Sequence, residues 1–171
     1  MVFKVHIKLA KAALSELDGK NLKVGRGAYI FGNVFPDFIL PHLPRHRKHA
    51  SQRFFDRQHK KICGRRRKNS SKIHIWDSFL LGILSHYAAD YSCAAHMEGY
   101  SETMRVHRRH EKAQLEYLRG NPDVLLETRD THTGGCSGIF SRLGNSRADS
   151  PFYELVGAMD AIRMTCAGLA A

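Results

Sequence analysis

Residues 71–97, SKIHIWDSFLLGILSHYAADYSCAAHM, decide how this chain folds. Read at 3.6 residues per turn, Trp76, Phe79, Leu80, Ile83, Leu84, Tyr87 and Tyr91 fall on one wide apolar stripe. The pattern predicts a helix at the centre of the core, with Ser71 placed to cap its N-terminus. On it, His86 and Asp90 stand four residues apart and therefore one turn apart, in line with Ile83 and Phe79. An imidazole and a carboxylate thus point inward together, and His96 follows towards the end of the same predicted helix.

Working outward, apolar residues at helical spacing recur on both sides. Ala10, Ala13, Leu14 and Leu17 follow His6 and end at Asp18-Gly19, so a first helix carries His6 on its buried face. A short helix is expected over 25–33, stopped by Pro36 just before Asp37. Pro41 and Pro44 make PHLPRHRKH (41–49) an irregular segment. A helix over 50–61 leads into GRRRKNSS (64–71), which reads as an exposed basic loop. Residues 101–119 predict another helix, closed by Gly120-Asn121-Pro122 and followed by a short one through Thr128. The polar, Gly-containing stretch 131–150 reads as a loop, and a last helix runs over 151–167 with Gly168 as its stop. No segment alternates as a strand, so the expected class is all-α, as one domain over 1–171.

Composition narrows the function classes. At 43% hydrophobic and 25% charged residues over 171 positions, the chain has the make-up of a folded globular protein. The four cysteines, Cys63, Cys93, Cys136 and Cys166, form no CxxC pair, so neither a thiolate zinc site nor a disulfide framework is indicated. Lys4, Lys8 and Lys11 interrupt the N-terminal apolar residues, against a signal peptide, and no window approaches a membrane span. The expected location is cytoplasmic, or that of a mature form lacking its leader. A formal net charge of +11 implies attraction to polyanions such as nucleic acid, anionic phospholipid or phosphorylated small molecules.

The 11 histidines are concentrated between His42 and His110. On the helix over 101–119, His107 and Glu111 repeat the four-residue spacing of His86 and Asp90, with Leu115 and Leu118 continuing their stripe. One such pair is commonly a salt bridge or a satisfied core histidine. Two pairs plus His96 facing a dry interior need compensating positive charge, because an unpaired buried carboxylate costs several kcal/mol. A divalent cation supplies it, and imidazole with carboxylate is a ligand set suited to zinc. His6 and Asp37 add enough ligands for more than one ion.

The order H…GNxxPD…H…HYxxDxxxxxH…HxxxE resembles the zinc-dependent phospholipase C family and, more distantly, the zinc-dependent single-strand nucleases. Here it reads as His6, GNVFPDF (32–38), PRHRKHAS (44–51), SHYAADYSCAAH (85–96) and HRRHE (107–111). The resemblance implies that Asp37, a histidine of PRHRKH, His86 and Asp90 hold one Zn2+. For the second of these ligands His46 is favoured, on a similar spacing to Ser51, with His49 and His42 as alternatives. His96, His107 and Glu111 would hold a second ion, and His6 with a shared Asp90 a third. Secreted members complete that third site with an N-terminal Trp. In this sequence Met1 stands five residues before His6, so the expected count is two or three ions.

By the same resemblance Asp37 is also the catalytic base, and the reaction is hydrolysis of a phosphodiester P–O bond in a glycerophospholipid. The basic surface suits contact with anionic membrane faces. A nuclease for single-stranded nucleic acid is the second reading, with the basic runs near 45–48, 65–68 and 105–109 following phosphates. A protein that binds metal or nucleic acid without catalysis is the third, although structural zinc favours cysteine and closed four-ligand sites. Phe54, Phe55, Tyr87 and Tyr91 are candidates for the mouth of the site or for plain core packing. His110, beside Glu111, is expected on an exposed face.

Overall fold

A computed structural model describes residues 3–20, 22–38, 48–68, 73–93, 104–126 and 150–170. These form six α-helices: α1 (Phe3–Gly19), α2 (Arg26–Phe38), α3 (Lys48–Lys68), α4 (Ile75–Asp90), α5 (Met104–Gly120) and α6 (Pro151–Ala170), with a short 3-10 helix at Pro122–Leu125. There is no sheet among the described residues, so the class is all-α. None of the described helices is long and apolar enough to cross a membrane.

Helix α4 is the hub, packed against α1, α2, α3 and α6. From Leu81 to Asp90 every residue is buried, so the stripe seen in the sequence widens to cover the whole circumference. Phe55, Tyr87 and Tyr91 are core residues, and Phe54 packs on the core from its edge. The tightest crossing is between α2 and α4, where Gly32 meets Gly82. A Cβ on Gly32 would stand 2.1 Å from the Phe79 carbonyl oxygen, and one on Gly82 would stand 2.2 Å from that of Tyr29. Only glycine at both positions permits this backbone approach.

Several boundaries differ from the sequence reading. Helix α2 runs through Pro36 to Phe38. In the last turn a missing N–H forfeits a single intrahelical bond, and packing against α4 outweighs that loss. Helix α3 continues across 64–68 instead of opening into a loop. There Arg65 Nε donates to Asp77 Oδ2 at 2.9 Å, tying the basic stretch to the start of α4. That start is capped by His74, whose Nδ1 accepts from the Trp76 amide at 3.3 Å; Ser71 lies outside the described residues. Helix α4 ends at Asp90 with a turn over 91–93, and His96 lies outside the described residues. Helix α6 passes Gly168 because Leu169 still packs in the core. Trp76, expected in the core stripe, is 60% exposed. The loop expected over 131–150 lies outside the described residues except for Ser150.

Candidate metal centre

Three helices deliver the polar cluster. His6 comes from the inner face of α1, Asp37 from the last turn of α2, and His86 and Asp90 from successive turns of α4. His6 Nε2 lies 3.3 Å from Asp90 Oδ1, and His86 Nε2 lies 3.1 Å from Asp90 Oδ2. Asp37 Oδ1 approaches His86 Nε2 at 3.7 Å. The two imidazoles stack with centroids 4.0 Å apart. Among the described residues, His6, His86 and Asp90 form the group of ligand types whose donor atoms all lie within 4.8 Å of one another.

Each ring is held for a reason. His86 Nδ1 donates to the Asn33 carbonyl oxygen at 2.9 Å, which puts the proton on Nδ1 and leaves the Nε2 lone pair facing both carboxylates. That bond exists because the Gly32–Gly82 contact brings the α2 backbone against α4. His6 is fully buried, and its pKa falls to about 3, first from burial and then from the neighbouring His86, so it is a neutral imidazole. Neither of its ring nitrogens makes a hydrogen bond of good geometry.

These observations test whether zinc fits. A neutral His6 cannot offset the charge of Asp90, which is itself buried. Ring nitrogens of a buried His6 that make no hydrogen bond, beside the Asp90 carboxylate in a dry interior, are what a divalent cation satisfies, and the donor set suits zinc. The cluster is closed on three sides: the His6, His86 and Asp90 side chains are 0%, 0% and 1% exposed, whereas that of Asp37 is 22% exposed. The opening to solvent therefore lies on the Asp37 side.

The remaining expected ligands are placed unevenly. His46, His96 and the alternative His42 lie outside the described residues. His107 is on α5 and His49 on α3, with their side chains outside the described set. Glu111 is half-buried on α5 and does not join the described group. His110 is not exposed as expected. Its side chain is 20% exposed, and Nε2 stands 2.6 Å from Oε2 of the fully buried Glu154 on α6. The reason is the rotation of α5: its most buried line runs through Gln114 and Leu118, next to the 107–111–115 line read from the sequence. Gln114 also donates to Glu154, so that carboxylate has two partners on α5.

The sequence reading passed over Asn33, although it belongs to the quoted GNVFPDF. Its carbonyl orients His86, and its buried carboxamide makes no hydrogen bond through either atom. It also passed over the hydroxyl pair of Ser51 and Tyr91, which joins α3 to the end of α4 beside Asp90. Glycine preceding asparagine on α2 was the signal for the first; no sequence signal marked the second.

An all-helical bundle enclosing a His–His–Asp cluster has the donor set of a helical metal-binding protein. The family model for zinc-dependent phospholipase C matches residues 5–148 of the chain, which spans the helices carrying His6, Asp37, His86 and Asp90. The chain belongs to the zinc-dependent phospholipase C family and is a hydrolase of the zinc-dependent kind. No curated protein and no solved structure gives a match.

Proposed function

We propose that the protein is a phosphodiesterase that cleaves glycerophospholipids on the phosphate side of the glycerol, releasing diacylglycerol and a phosphorylated headgroup. The observation that carries this reading is the convergence of two imidazoles and two carboxylates from three helices, with Asp37 alone reaching solvent. His6, Asp37, His86 and Asp90 would hold zinc. The family resemblance adds His46 to this set and His96, His107 and Glu111 around a further ion, for two or three in all. Zinc, when bound, supplies a Lewis acid that offsets the negative charge gathered by a phosphodiester under attack.

The chain's own groups divide the remaining tasks. Asn33 holds His86 in one tautomer, and the stacked His6 limits its rotation. Asp90 bridges the Nε2 edges of the two stacked rings, with one carboxylate oxygen towards each. Asp37, whose side chain is 22% exposed beside His86, would accept the proton of the attacking water. The buried walls, with Tyr87 at the edge of the His86 ring, keep bulk water from the inner side.

The test compares zinc-loaded protein on phosphatidylcholine, phosphatidylglycerol and single-stranded DNA. Release of diacylglycerol, abolished by chelation and restored by zinc, is the expected result. Cleavage of DNA alone would turn the reading into a nuclease, and binding of zinc without cleavage of any of the three would end the enzymatic reading.

A further inference from the structure

An aromatic surface without a role in the metal centre runs along the outer side of α2 and over the start of α4. Phe31 is 56% exposed, Ile75 66%, Trp76 60% and Phe38 68%. Phe31, Phe79 and Phe35 pack ring on ring, with Phe31–Phe79 at 5.7 Å and Phe35–Phe79 at 5.1 Å, and Trp76 adds to them at 5.2 Å from Phe79. Between the two helices they leave a groove of about 480 Å³ lined by Ala28, Phe31, Phe35, Ile75, Trp76 and Phe79, all apolar. Rings so exposed are costly in water, and a contiguous apolar patch on a surface marks contact with something apolar.

We infer that this patch is a docking surface for a phospholipid bilayer, which the exposed rings enter at the level of the headgroups and upper acyl chains. The choice of occupant rests on the phospholipase reading above and on three features of the molecule. First, the patch extends past the groove to the start of α1. Phe31, Phe35 and Phe38 fall within about 60° of one another around α2 at 100° per residue, and Phe38, beside Asp37, packs on Phe3 at 6.3 Å. Second, exposed cations lie close to it in sequence: Lys4 follows Phe3, and Lys23 precedes the groove residue Ala28, while Arg26 is paired with Asp18. With a net charge of +11 they complement an anionic lipid face. Third, a groove lined by six apolar side chains suits hydrocarbon, while Trp and Phe are the residues that settle at a membrane–water boundary. From Ile75 to His86 is about 16 Å along α4 at 1.5 Å per residue. The groove is therefore a platform beside the centre and distinct from the place where phosphate is cleaved.

Trp76 is the sole tryptophan of the chain and so reports on its own patch. The zinc-loaded full chain is titrated with vesicles of phosphatidylcholine, with and without phosphatidylglycerol. Its emission should move to the blue and be quenched by lipids brominated on the acyl chains, more strongly on the anionic vesicles. The double variant Phe31→Ser/Ile75→Ser should partition at least about tenfold more weakly. Its zinc content and cleavage of a monomeric short-chain phospholipid should stay unchanged. Trp76 emission indifferent to vesicles overturns the inference, even where the lipid is hydrolysed. So does a lipid-free dimer, by sedimentation, in which Trp76 is already shielded, because the patch would then join two copies of the chain. Vesicle-induced quenching in a protein that hydrolyses no lipid supports the docking surface and counts against the phospholipase reading instead.

Discussion

Gly82 of α4 rests on Gly32 of α2 so closely that a Cβ on Gly82 would stand 3.0 Å from the Gly32 Cα and 2.2 Å from the Tyr29 carbonyl oxygen. This crossing sets where the His–Asp cluster forms. It places the Asn33 carbonyl against His86 and brings Asp37 of the next α2 turn to the same ring.

Gly82→Ala should therefore damage stability and site together. The obstacle is backbone, which cannot rotate away, so the helices must part at a cost on the order of 3 kcal/mol. A lowered urea midpoint with reduced zinc per chain is the expected pair of results. A variant with normal stability and full zinc would show that the helices do not cross this closely.

His86→Ala and Asp90→Ala should each lower bound zinc and abolish activity, since each removes a donor from the interior cluster. Elemental analysis before and after dialysis against chelator reads this directly. Asp37→Asn should reduce turnover more than zinc content if its main task is to take the proton from water. Equal losses of both would make it a ligand only.

His110→Ala should cost about 2 kcal/mol, because it removes a hydrogen bond to the buried Glu154 carboxylate and leaves Gln114 as its described partner. The double variant His110→Ala/Glu154→Leu should recover only part of that loss in chemical denaturation, because the buried carboxylate is gone but the buried Gln114 then lacks its Glu154 acceptor. No change on His110→Ala would mean that the pair contributes nothing to stability.

Stability should also fall on the alkaline side. Burial raises the Cys166 thiol from 9.0 to about 12, and raises those of Cys93 and the Tyr29 phenol as well. The folded protein keeps these protons while the unfolded chain releases them from pH 9 upward. The neutral forms thus contribute fully below that pH and progressively less as it rises. Melting temperature followed from pH 8 to 11 should decline through this window, and Cys93 and Cys166 should resist alkylation at pH 8 in the folded state.

Much of the fold could be read from residues because burial writes a period into a helix. The stripes beginning at His6 and Trp76 announced α1 and α4, although Trp76 itself faces outward, and the four-residue spacing of His86 and Asp90 announced two groups facing one interior. The helix ends were less legible. Pro36 and Gly168 are local stop signals overridden by packing, and the 64–68 stretch is helical partly because Asp77, twelve residues after Arg65, holds that arginine. His110 was misread for a related reason: a rotation of α5 by one residue's worth of angle decides which side chain meets α6, and only the neighbour sets that angle.

By itself, then, the sequence determined the helical class, the family to which residues 5–148 belong, and which imidazoles and carboxylates were candidates for the centre. The family resemblance already implied that Asp37, His86 and Asp90 share a site and that His6 shares Asp90; tertiary structure alone decided the distances at which they meet, that Asn33 orients one of them, and that Trp76 faces outward. Periodicity is a property of one helix, whereas the distance between two helices depends on the small residues at their crossing. Which face stays wet depends on what the other helices leave uncovered.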